Sequence, residues 1–127
     1  MQLLATHHVA LFTDNFAAME TFYTQTLGLP VTKRWDDVNI IFINIGSTTI
    51  ELIGRDNRSG RPSNQYGFDH VALHVADVDD AYAELKAAGV NFTVEPKNFQ
   101  DVRLAFFVDP DGNSIELFEE PRKPGKD

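Results

Sequence analysis

Alternation of apolar and polar residues from Leu4 to Thr13 predicts a first strand, with His8, Ala10 and Phe12 on one face and Val9 and Leu11 on the other. The period then changes. Phe16, Met19, Phe22, Tyr23 and Leu27 recur at helical spacing behind a candidate N-cap at Asp14, and Gly28 followed by Pro30 predicts a stop near Leu27. Short runs rich in β-branched and aromatic residues follow at Val31–Trp35, Ile40–Ile45 and Thr49–Ile53, the last two joined by a tight turn at Gly46-Ser47. The first half therefore reads strand, helix, three strands.

Residues from Arg55 to Tyr66 are rich in Arg, Asn, Ser, Gly and Pro and lack periodicity, which predicts a linker. The opening pattern then returns. Asp69–Val75 reads as a strand, Asp77 or Asp79 caps a helix carrying Ala81, Tyr82 and Leu85, and Gly89 ends it. Strands follow at Val90–Val94, Arg103–Val108 and Ser114–Phe118, the last two joined by the turn Asp109-Pro110-Asp111-Gly112. The polar tail after Phe118 is expected to fray. The repetition extends to residue identity: HHVALFT at His8 returns as DHVALHV at His70, and TTIELIG around Glu51 returns as NSIELFE around Glu116. From His to Glu the interval is 43 residues (51 − 8) in the first half and 46 (116 − 70) in the second. One supersecondary unit is used twice.

Composition narrows the function. A chain of 127 residues with 43% hydrophobic content suits one domain: module one at about 4–54, a linker at 55–67, module two at about 68–119 and a tail at 120–127. Nineteen acidic against 11 basic residues give a formal charge of −8, which repels nucleic-acid backbones and anionic membranes. Cysteine is absent, so disulfides, thiolate metal sites and cysteine nucleophiles are excluded. No leader-like segment or membrane-length apolar run occurs, and the expectation is a soluble cytoplasmic protein acting on a small molecule.

The paired HVAL and IEL strands, set in two strand-helix-three-strand modules from about Leu4 to Glu119, resemble the vicinal oxygen chelate superfamily. That superfamily contains glyoxalase I, methylmalonyl-CoA epimerase, extradiol dioxygenases, and fosfomycin and bleomycin resistance proteins. The resemblance implies an α+β fold in which two βαβββ modules form a cupped mixed sheet with helices outside. It also implies a homodimer, the cup being built within one chain or from modules of two. Further implications are a divalent metal held by His8, Glu51, His70 and Glu116, and a catalytic carboxylate, Glu116, with Glu51 its rival by pseudo-symmetry.

The residues themselves support the same four positions. Glu51 lies between Ile50 and Leu52, and Glu116 between Ile115 and Leu117; a carboxylate buried among such neighbours needs a partner. Two neutral imidazoles and two carboxylates balance one divalent ion and suit Ni, Co, Mn, Fe or Zn. The competing reading makes His8 and His70 ordinary core histidines and the two glutamates edge-strand residues facing solvent. Around them, Phe12 and His74 share the His-bearing faces, and Trp35 and Phe42 are either pocket walls or core. His74 is a polar contact or proton relay, or else a buried imidazole bonded to backbone. His7 points to the opposite side of its strand. Arg55, Arg58 and Arg61 in the linker read as a solvated loop more readily than as an anion clamp.

Three function classes follow. In the first, the metal holds neighbouring substrate oxygens while a carboxylate moves a proton between adjacent carbons, as in glyoxalase I. Phe12 and Arg55 stand where that enzyme's glutathione contacts are expected to be a basic residue and an Asn, so glutathione use is not predicted. The His-Pro turn characteristic of methylmalonyl-CoA epimerase is here Asp109-Pro110. The second class is an Fe(II) dioxygenase using His8, His70 and Glu116 as a facial triad. The third is a binding or resistance protein, against which the complete ligand set argues.

Overall fold

The computed structural model describes residues 1–2, 4–55 and 70–126. The chain divides into two compact units, Met1–Ser63 and Asn64–Asp127. In the first, β1 (His8–Thr13), α1 (Phe16–Thr21), β2 (Val31–Trp35), β3 (Ile40–Asn44) and β4 (Thr49–Gly54) follow one another. The four strands form one sheet in the order β1-β4-β3-β2, with β1 parallel to β4 and the other pairs antiparallel. A parallel pair cannot be closed by a tight turn, so the chain crosses from β1 through the helix before returning to the sheet. The β3–β4 hairpin turns at Gly46, whose φ of +107° suits glycine and whose N–H donates to Asn44 Oδ1.

Local chemistry at α1 differs from the sequence expectation. Asn15, not Asp14, is the N-cap, and its side chain makes no capping bond. Thr13 Oγ1 instead accepts from the Asn15 N–H at 2.8 Å. Beyond Thr21 the helix widens into a π-helical turn over Phe22–Thr26, with the Leu27 N–H bonded to the Phe22 carbonyl. The slower rotation per residue lets the consecutive rings of Phe22 and Tyr23 both enter the core. They join Met19 and the inner-face residues Ile41, Ile43, Ile50 and Leu52. At the end of β4 the backbone comes close to this helix. A Cβ added to Gly54 would lie 3.0 Å from Phe16 Cδ1 and 3.1 Å from Asn39 Cβ. Gly54→Ala is therefore expected to cost about 1–3 kcal/mol by overpacking, read as a lower urea midpoint at unchanged slope.

The second unit repeats the plan with β5 (His70–His74), α2 (Val78–Ala87), β6 (Asn91–Phe99), β7 (Val102–Val108) and β8 (Ser114–Glu119) in the order β5-β8-β7-β6. Again only the first and last strands are parallel. Asp77 caps α2 by accepting from the Asp80 N–H at 2.9 Å, as expected for one of the two candidates. Tyr82 meets Phe92, and Phe92 meets Phe107, fastening the helix to the sheet. Strand β6 runs to Phe99, well past the expected end at Val94. Pro96 is accommodated because β6 is an edge strand with register irregularities between Phe92 and Lys97. In the turn after β7, Asp109 Oδ1 accepts from the N–H groups of Asp111 and Asn113.

The tail is also fastened, against expectation. Glu119, buried, accepts from the N–H groups of Val78 and Lys123. Lys126 Nζ lies 3.1 Å from Asp77 Oδ2 and 3.0 Å from Asp79 Oδ2, while its carbonyl accepts from Asn98 Nδ2. The acidic N-terminus of α2, Asp77 at the cap and Asp79 in the first turn, thus adds ion pairs to the hydrogen bonds that hold this polar segment.

Candidate functional site

Each sheet has one face on its helix and one face carrying the duplicated polar residues. In the first unit Ala10, Glu51 and Phe42 lie side by side across β1, β4 and β3. His8 is paired with Thr49, two residues back along β4, so the Glu51 side chain meets the imidazole on a diagonal. His8 Nε2 and Glu51 Oε1 are 3.7 Å apart. The His8 ring stands edge-on to Phe42, with centroids 5.8 Å apart, and Phe42 in turn meets Trp35 at 5.3 Å.

The second unit repeats the row, the His–Glu pair and the edge-on phenyl ring. Ala72, Glu116 and Phe106 form the row, His70 is paired with Ser114, and His70 Nε2 lies 2.9 Å from Glu116 Oε2. His70 stands edge-on to Phe106 at 5.2 Å. Both glutamates thus sit on strands internal to their sheets, which removes the reading of edge-strand carboxylates facing solvent. Glu116 is the more buried, its side chain 8% exposed against 15% for Glu51. Phe106 was not among the residues singled out from the sequence. It is the counterpart of Phe42, and the duplication itself is the signal that would have found it.

Of the outer candidates, Phe12 and Trp35 are exposed, and each carries a cation over its ring: the Arg55 guanidinium at 5.7 Å and Lys33 Nζ at 4.6 Å. They are surface rather than core aromatics, whereas Phe42 is buried. His74 is exposed, which removes the buried-imidazole alternative for it. Arg58 and Arg61 lie outside the described residues.

Among the described residues no group of three or more His, Asp or Glu side chains able to hold a metal is formed; His8 is brought to Glu51 and His70 to Glu116, one pair in each unit. Within each pair the donor spacing suits two ligands of one ion. Ligand atoms about 2.0–2.2 Å from a metal are about 3.0 Å apart at a right angle and about 3.4 Å apart at a tetrahedral one. His70 and Glu116 match the first value. His8 and Glu51 are a few tenths of an ångström wide of the second, within reach of a small side-chain rotation.

Comparison with known proteins agrees with the topology. The family described as the Glyoxalase/Bleomycin resistance protein/Dioxygenase superfamily matches residues 5–117. The chain is 30% identical to the uncharacterized protein YaeR of Escherichia coli K12, over 90% of this chain and 95% of that protein. It is 29% identical to a lactoylglutathione lyase of Escherichia coli O157:H7, over 89% of this chain and 90% of that enzyme. Among solved structures, a glyoxalase family protein from Enterococcus faecalis superposes with a TM-score of 0.75 at 30% identity, covering 89% of this chain and 95% of that one. With two βαβββ units, the duplicated His–Glu pairs and a match over most of its length, the chain belongs to the glyoxalase/bleomycin resistance protein/dioxygenase superfamily.

Proposed function

We propose that this protein is a divalent-metal-dependent lyase or isomerase of the glyoxalase I type, acting on a small substrate with vicinal oxygens. His8, Glu51, His70 and Glu116 are the ligands of a Ni, Co, Mn, Fe or Zn ion. The observation that carries the proposal is the repeated geometry: one imidazole and one carboxylate on the same face, at donor spacings near those of ligands to one ion. Similarity to a lactoylglutathione lyase supports the reaction class.

A divalent ion held by these residues would supply electrophilic polarisation of substrate oxygen. The chain's own residues do the rest. Glu116 takes a proton from the hydroxyl-bearing carbon, the electron pair of that C–H bond moves toward the neighbouring carbonyl, and Glu116 returns the proton to the adjacent carbon as the hydroxyl proton passes from the first oxygen to the second, so that hydroxyl and carbonyl exchange places. No oxidant is consumed. Glu116 is buried, and the Phe106 ring beside it limits access of water to the carboxylate. Glu51, more exposed and beside Phe42, serves as ligand.

With metal bound, wild-type protein in deuterated water should exchange the proton next to the carbonyl of an α-hydroxycarbonyl probe. Glu116→Gln should slow that exchange by about 10²–10⁴-fold, and Glu51→Gln by much less. Equal losses in the two variants would remove Glu116 from the role, and oxygen consumption by the Fe(II) form would replace the isomerase with the dioxygenase. The methylglyoxal–glutathione hemithioacetal is expected to be a poor substrate, since Phe12 and Arg55 occupy the positions of the expected contacts; kcat/KM on the order of 10⁵ M⁻¹s⁻¹ or more would contradict this.

A further inference from the structure

Strand alternation sends His7 away from His8, yet the two rings meet. His7 Nδ1 lies 2.8 Å from His8 Nδ1, with the rings edge-on and their centroids 5.1 Å apart. The reason is positional. β1 begins at His8, so residue 7 stands just outside the regular ladder and its side chain is free to turn back. Its backbone is held there: the His7 carbonyl accepts from Thr49 Oγ1 at 2.9 Å, and Thr49 is the register partner of His8. The neighbouring Thr48 Oγ1 donates to the Thr6 carbonyl, extending the tie by one residue.

The two nitrogens of His8 thus face different partners. Nδ1 is within hydrogen-bond distance of His7, whereas Nε2 faces Glu51 at 3.7 Å, too far for a hydrogen bond. An imidazole that gives its Nε2 lone pair to a metal carries its hydrogen on Nδ1, and that N–H needs an acceptor to fix both tautomer and ring angle. We infer that His7 is a positioning residue for the metal site: its Nδ1 accepts the hydrogen bond from His8 Nδ1–H, leaving His8 Nε2 bare and aimed at the ion shared with Glu51. This rests on the metal-site reading above.

The test is the affinity of purified protein for Zn, by competition with a chromophoric chelator, in wild type, His7→Ala and His7→Asn. Alanine removes the acceptor and should weaken binding about 10–100-fold, the usual cost of losing such an outer partner. Asparagine offers an amide oxygen and should restore most of it. In nuclear magnetic resonance spectra of the zinc-loaded protein, the His8 Nδ1–H should exchange slowly with water in wild type and rapidly in His7→Ala. Affinity in His7→Ala within twofold of wild type would overturn the inference. So would equal losses in the alanine and asparagine variants, because packing and not the acceptor would then be responsible. Failure of the wild-type protein to take up Zn, Ni, Co, Mn or Fe would instead overturn the metal site itself, and the role of His7 with it.

Discussion

His70→Ala should lower affinity for a divalent ion at the proposed metal site by about two orders of magnitude. Sites with four protein ligands bind with roughly 10–16 kcal/mol, so one ligand accounts for about 3 kcal/mol, or about 100-fold. The estimate is a minimum for His70, because its loss also removes the group 2.9 Å from the largely buried Glu116 carboxylate. His8→Ala should do the same from the more open pair, where the donor atoms already stand 3.7 Å apart. Metal content and affinity, measured on all four single variants, separate the competing chemistries. Comparable losses at His8, Glu51, His70 and Glu116 support the four-ligand site. Loss at His8, His70 and Glu116 with none at Glu51 would identify the three-ligand arrangement of an Fe(II) dioxygenase.

A second large effect is expected at the ion pair between Asp79 and Arg103. Asp79→Ala should destabilise the protein by about 3 kcal/mol, at the low end for a buried ion pair because Asp79 is partly exposed and screened. The cost comes from Arg103, whose side chain is only 7% exposed. It binds Asp79 with two parallel hydrogen bonds, Nε to Oδ2 at 2.7 Å and Nη2 to Oδ1 at 2.9 Å, and donates through Nη1 to Asn98. Removing the carboxylate leaves the guanidinium short of charge compensation. Arg103→Met in the same chain should recover part of the loss, since the charge leaves with its partner. The pH dependence has a definite sign. Hydrogen bonds from Arg103 hold the Asp79 carboxyl below its ordinary value of 3.8, and the Asp80 N–H, with Lys123 and Lys126, does the same for Asp77. Both carboxyls bind protons more weakly folded than unfolded, so their contribution is present above about pH 4 and is lost as pH falls through the folded values. Urea midpoints measured from pH 7 to pH 2 should therefore fall less steeply in Asp79→Ala than in wild type.

These two regions differ in how far they could be read from residues alone. The His–Glu pairs were legible because each of these residues belongs to a strand, where alternation fixes the face, and because the same letters return at nearly the same interval. Phe106 was harder, since its place beside Glu116 depends on cross-strand register and no local property of LAFFV marks it out. The length of β6 was hidden by Pro96, which ends a central strand but is tolerated on an edge. The contact of His7 with His8 contradicts simple alternation because it occurs one residue before the ladder starts. Least legible was the tail: Lys123 and Lys126 meet Asp77 across most of the second unit's sequence, and such pairings leave no periodic trace.

The rows that carry the two glutamates are uneven. On one side of Glu51 stands Phe42 and on the other Ala10; Glu116 is flanked in the same way by Phe106 and Ala72. The alanines lie on outer strands and are exposed, whereas the phenyl rings rise above the sheet. Each carboxylate therefore has a tall back wall and a low sill. Within its own sheet, each is shielded by a ring toward β3 or β7 and by no more than a methyl group toward β1 or β5.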